Sequence, residues 1–195
     1  MMTAGITVVV EGDSDIAAAR AVIEAAGRSP GRVFVKRGTG ALDRDLHKYI
    51  SASAHGSYVI IRDSDGVCPV ELREELVGTV SPLPPSFQLR IAHAMTEAWL
   101  MADHEGFAQY FSVRTDDLPA APEMIRDPKQ RLLQICARSR SRTIRAAMVR
   151  SNGRIGTGYV TTLQQFAESR WDAMRAASRS PSLQRALERI RQMPL

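Results

Sequence analysis

Two short apolar runs, ITVVV at 6–10 and YVII at 58–61, each break off into carboxylates: EGDSD follows the first and RDSDG the second. Runs of four to eight β-branched residues without polar alternation form strands buried on both faces, and such strands belong to parallel sheets covered by helices. The intervening segments agree with that reading. Ile16, Ala19, Val22, Ile23 and Ala26 recur at helical spacing ahead of Gly27, RVFVK reads as a short strand, and Leu42, Leu46, Tyr49 and Ile50 share one face of a second helix. Strand, helix, strand, helix, strand with short connections predicts an α/β fold, Rossmann-like, with a mainly parallel sheet flanked by helices.

In an open parallel sheet, ligands collect beyond the carboxyl ends of the strands. Glu11, Asp13 and Asp15 therefore share a rim with Asp63 and Asp65, although about fifty residues separate the two groups. Asp, Ser and Gly also favour turns, so either cluster alone reads equally well as an exposed turn. Their convergence points to a divalent cation, because Mg²⁺ takes hard oxygen ligands, keeps several waters and needs only one or two carboxylates beside a substrate phosphate. Across Ser64, Asp63 and Asp65 are expected on the same side of an extended strand end, where they can share an ion. Glu11 is placed to complete that site. A fourth strand is predicted from the alternation of Phe87, Leu89 and Ile91, and a helix from about Met95 puts Glu97 near its start, with Thr96 able to cap it. Asp13, Asp15 and Glu97 are available for a second ion.

The net charge of +5 conceals a division. Residues 1–125 hold 11 Lys and Arg against 17 Asp and Glu, whereas residues 126–195 hold 15 against 4. The chain is thus read as an acidic α/β domain at 1–125 and an Arg-rich helical extension at 126–195 packed on it, with helices predicted from Pro128 and over TTLQQFAESRW and SPSLQRALERIRQM. An acidic part that holds cations, joined to a basic part that holds phosphates, suits a metal-dependent enzyme acting on nucleic acid. A basic tail is also compatible with plain solvation. Arg138, Arg140, Arg142 and Arg145 in ARSRSRTIR are the candidate phosphate contacts. The glycine-rich GRIGTG of SNGRIGTGYV could cradle phosphate, but it lacks the Lys-Ser/Thr of a P-loop and no strand clearly precedes it; the four histidines show no ligand spacing.

At 195 residues the chain is long enough to bury a sizeable core, and 44% hydrophobic with 24% charged residues is the balance of an ordinary soluble protein. No apolar run approaches the roughly 18–20 residues that span a bilayer, and no basic segment precedes the first apolar run, so no membrane association and no signal peptide are expected. Two cysteines, Cys68 and Cys136, fit a reducing cytoplasm better than a disulfide framework.

VVVEGDSD followed by VIIRDSDG, both at strand ends of a βαβαβ pattern, resembles the Toprim domain shared by topoisomerases, bacterial primases and the nucleases of the overcoming-lysogenization-defect group. The matching positions are Glu11, Gly12, Asp63 and Asp65, and the resemblance covers roughly residues 5–110. EAWLMAD, RDPKQRLL, GTGYV and SPSL further resemble a family of small bacterial Toprim-related proteins that carries no established activity. What the resemblance implies is a Toprim-like fold, Mg²⁺ or Mn²⁺ as cofactor, and nuclease chemistry on DNA before RNA, in phage defence or DNA repair. It also implies Glu11 as metal ligand or general acid or base, Asp15 and Glu97 ahead of Asp13 as further ligands, and Lys129 as a transition-state lysine. Related nucleases often work beside an ATPase and no Walker motif is present here, so a separate ATPase partner and a homodimer are both compatible with the resemblance. Haloacid-dehalogenase phosphatases and receiver domains also gather acids at strand ends, but Glu11 after the first strand argues against both. The competing reading is a non-catalytic Toprim-like module that binds nucleic acid or a partner ATPase.

Overall fold

A computed structural model describes residues 5–194. Four strands, β1 (Ile6–Val10), β2 (Pro30–Val35), β3 (Tyr58–Asp63) and β4 (Phe87–Ala92), form one all-parallel sheet in the order β2-β1-β3-β4. The crossovers are helices α1 (Ile16–Ala25), α2 (Thr39–Ala52) and α3 (Pro69–Val77). From β1 the chain steps outward to β2, then returns across β1 to lay down β3 and β4. That reversal opens a crevice between the carboxyl ends of β1 and β3, the place where open α/β sheets bind ligands. Glu11 and Asp63 stand on its two sides.

β1 and β3 lack polar alternation because both of their faces are covered. Val9, Ile60, Phe87 and Leu89 pack with Leu42 and Leu46 of α2 and Val77 of α3. Val8, Val10, Val59 and Ile61 point the other way, into a larger cluster shared with α1. β2 is an edge strand and only half-buried, with Phe34 exposed, and it opens on Pro30, which an edge strand tolerates because it donates nothing to the ladder there.

The chain continues through α4 (Thr96–Ala102), α5 (His104–Phe111), α6 (Pro128–Ala137), α7 (Arg142–Met148), α8 (Tyr159–Ser169), α9 (Ala173–Ala177) and α10 (Pro181–Arg191). All seven residues of α4 are buried. In α10, Leu183, Ala186, Leu187 and Ile190 make an apolar stripe that packs towards β4. The start of α10 is pinned by buried Glu123, which accepts from Ser180 Oγ, the Ser182 N–H at 3.0 Å and Ser182 Oγ at 2.6 Å, while Trp99 Nε1 donates to Ser182 Oγ at 2.7 Å. Leu132, Phe166, Leu183 and Ile190 belong to the same buried cluster as Val8, Val10 and Ile61, so the helices after residue 126 cover one face of the sheet. Each such apolar side chain contributes roughly 1.5–3 kcal/mol on burial, and removing this layer would strip that face. Among the described residues, no helix is long and apolar enough to cross a membrane.

Candidate metal centre

Glu11 is the first residue beyond β1, and its Oε1 accepts the Asp63 N–H at 2.9 Å, tying the ends of the two central strands together across the crevice. Asp63 ends β3, and its Oδ1 accepts the Thr96 N–H at 2.9 Å, tying β3 to the first turn of α4. Asp15 closes a short 3₁₀ turn after β1: its Oδ2 takes the Gly12 N–H at 2.9 Å and its Oδ1 the Thr96 hydroxyl at 2.7 Å. Glu97, 2% exposed in the first turn of α4, accepts from the Tyr159 hydroxyl at 2.6 Å on Oε1. Lys129 of α6 approaches the same oxygen at 3.4 Å. Glu11, Asp15, Asp63 and Lys129 thus line one crevice, and Glu97 joins them through its ion pair with Lys129.

The electrostatics follow from that crowding. Burial pushes Glu11 up to about 7, against the lowering pull of the Asp63 N–H and Arg62. Burial, followed by the charges of Asp15, Glu97 and Glu11, holds Asp63 well above the usual carboxylate range. Asp15 is raised by burial and by Glu97. Although burial works against its charge, Lys129 is held above its ordinary value by Glu97, Asp15 and Asp63. Glu11, Asp15, Asp63 and Glu97 crowd around the half-exposed Lys129, so the carboxylates repel one another more than that ammonium offsets.

Asp65 is held differently, although its charge still bears on Glu11. β3 ends at Asp63, the chain turns left-handed at Asp65 (φ 50°) and Gly66 (φ 83°), and the extended alternation expected across Ser64 is lost. The turn is pinned by the Asp65 N–H on the Ala94 carbonyl at 3.0 Å and by the Ala94 N–H on Ser64 Oγ at 2.9 Å. The Asp65 carboxylate points outward to Arg62 at 3.1 Å. Arg62 also forks onto Asp43 of α2 at 3.2 and 3.1 Å, reaches Glu11 at 3.5 Å and donates to the Asp63 carbonyl. It is a buried counter-charge beneath the rim, served by Asp43 and Asp65.

The crevice has a volume of about 360 Å³ and is lined by Glu11, Asp13, Asp15, Arg37, Asp63 and Lys129. Among the described residues, no three His, Cys, Asp or Glu side chains form a ready ligand set. Each acid is instead held by the protein's own donors. The donor chemistry nevertheless fits a hard cation: the hydrogen bonds on Glu11 and Asp63 fall on one oxygen each, and Glu97 Oε2 is buried with no partner. A buried carboxylate oxygen without a partner is costly and rarely left so. Glu11, Asp15, Asp63 and Glu97 are the residues that could hold Mg²⁺ or Mn²⁺.

Of the residues expected from the sequence, the structure brings together Glu11, Asp15, Asp63, Glu97 and Lys129. Arg138, Arg140 and Arg142 lie towards the surface, Arg145 donates to the Ser139 carbonyl, and none of the four lines the crevice. Sequence patterns gave no notice of Arg37, of Thr96 as a bridge, or of Tyr159. Arg37 follows β2 on the same rim, so the rule that located the acids applies to it as well. Thr96 reads as a cap, and nothing local marks Tyr159 as a partner of Glu97. Compared with known proteins, the chain matches no family model, no curated protein and no solved structure.

Proposed function

We propose that this protein is a divalent-metal-dependent phosphodiesterase acting on nucleic acid, a Toprim-like nuclease in which Glu11, Asp15, Asp63 and Glu97 hold Mg²⁺ or Mn²⁺. The observation that carries the reading is the meeting, at the β1/β3 crevice, of acids from two strand ends and a buried helix with a single lysine among them and one Glu97 oxygen unpaired. A bound ion supplies Lewis-acid polarisation of the phosphoryl group and a water of lowered pKa. The chain's own residues supply the rest. Lys129, 38% exposed and lining the crevice, neutralises charge developing on the phosphoryl oxygens. Arg37, on the rim after β2, orients the phosphate. Glu11 is placed to take the proton of the attacking water or return one to the leaving oxygen. Asp65 acts through Arg62 and is left out of the ligand set. Arg138, Arg140 and Arg142 attract the polyanion from outside the crevice. Within this reading the substrate is DNA before RNA, the setting a cytoplasmic defence or repair process, and the ATP-driven work falls to a separate partner.

The test is incubation of plasmid and single-stranded DNA with the full chain and Mg²⁺ or Mn²⁺. Cleavage is expected, with a loss of about 10³-fold or more in Glu11→Gln and in Asp63→Asn. Cleavage that survives both substitutions overturns the assignment. A second reading, a module that binds nucleic acid without cutting it, is favoured by one observation: every acid already has a protein donor. Binding without cleavage under any metal selects it.

A further inference from the structure

Next to the acidic crevice, and sharing Lys129 with it, lies a larger cavity of about 650 Å³, within the range of small-ligand pockets, roughly 300–1,000 Å³. Its chemistry is different. Met95, Leu133 and Ile155 supply apolar wall, while Arg150 and Arg154 join Lys129 as cations. The two arginines come from a tight loop: Val149 and Ile155 pair in an antiparallel bridge, the Arg150 N–H donates to the Arg154 carbonyl at 2.8 Å, and Gly153 takes φ 76° at the tip. The loop is seated by Gly156 and Gly158, where an added Cβ would fall 2.1 Å from the Ala147 carbonyl oxygen and 2.8 Å from the Ala147 Cβ, so these two glycines serve close approach. Ile155 is 43% exposed, an aliphatic residue lining a cavity in which Arg150, Arg154 and Lys129 outnumber the one carboxylate, Asp127.

An apolar wall flanked by guanidinium groups and opening onto a carboxylate crevice matches a nucleotide unit, with a flat base, a sugar and a phosphate on either side. We infer that this cavity holds the nucleotide adjoining the scissile phosphate, its base against Ile155, Met95 and Leu133, one phosphate on Arg150 and Arg154, and the other led by Lys129 into the acidic crevice. The inference rests on the nucleic-acid reading above and adds to it a base-contacting subsite with single-stranded substrate. A base can enter an aliphatic pocket only when unstacked from a duplex.

The experiment titrates the full chain, in chelator, with dAMP, with deoxyribose 5-phosphate and with a short single-stranded oligonucleotide, followed by calorimetry. Expected are binding of dAMP about tenfold or more tighter than the sugar phosphate, loss of that difference in Ile155→Asp, and about tenfold weakening of both ligands in Arg154→Ala. Both positions are exposed. Equal affinity for dAMP and sugar phosphate, or no effect of Ile155→Asp, overturns the subsite. The oligonucleotide should bind tighter than dAMP; equal affinities would assign a free mononucleotide and overturn the strand assignment. If dAMP binds as described while no metal supports cleavage, the nuclease reading fails and the subsite stands. If DNA is cut with unchanged kcat/KM in Ile155→Asp, the subsite fails alone.

Discussion

The acids at the ends of β1 and β3 and the arginines beside β4 are two clusters of like charge, and the protein treats them differently. Around the crevice, Glu11, Asp15, Asp63 and Glu97 each receive at least one hydrogen bond from a backbone N–H or a hydroxyl. Beside β4, Arg90 lies on the face of the sheet shared with Ile61 and Ala92; its Nε is buried with no partner, and burial together with Arg73, Arg189 and Arg185 pulls it down to about 10. The acidic cluster is therefore held open by dedicated donors, and the basic one is left uncompensated. Holding like charges in fixed positions with bonds from four or five separate elements is what pre-organises a site; leaving them unsupported is only a cost.

Three measurements bear on this difference between the acids and the arginines. The largest effect concerns Glu11, raised from its ordinary value to about 7. Below about pH 4.5 both folded and unfolded chains carry its proton and no penalty applies; as pH rises towards and past 7, the unfolded chain ionises freely while the folded one resists. In chelator, the wild type should lose stability relative to Glu11→Gln across that window, on the order of 3 kcal/mol, and Mg²⁺ should restore part of it. Denaturant melts of both proteins at pH 4.5, 6 and 8 would show it, and parallel stability curves would mean the acid is not strained. Next, Tyr159→Phe removes the donor on Glu97 and should cost about 2 kcal/mol in chelator, with a smaller cost when Mg²⁺ is present. Equal losses with and without the ion would detach Glu97 from the metal. The smallest effect is Arg90→Met, which keeps the aliphatic stem, removes a poorly compensated charge and should raise stability by about 1 kcal/mol. Destabilisation there would reveal a partner for Arg90 that the contrast leaves out.

The rim of acids is legible in the sequence because it depends on two local signals, β-branched runs and the residues that end them, joined by the rule that parallel strands share a carboxyl edge. The same rule does not carry to Asp65, because the strand stops at Asp63, two residues short of what alternation across Ser64 requires, and a left-handed turn sends the carboxylate to Arg62. Sequence also favours Arg138 to Arg145 over Arg150 and Arg154, because a dense arginine run is visible along the chain and a cavity wall is not.

What the order of residues determined alone is the α/β alternation, the parallel sheet and the convergence of Glu11, Asp15 and Asp63, since periodicity and chain crossover are short-range matters of sterics and burial. What only the tertiary structure decided is which hydroxyl or ammonium meets each acid. Thr96, Lys129 and Tyr159 reach the crevice through the packing of α4, α6 and α8 on one shared core, and no spacing along the chain encodes a contact made that way.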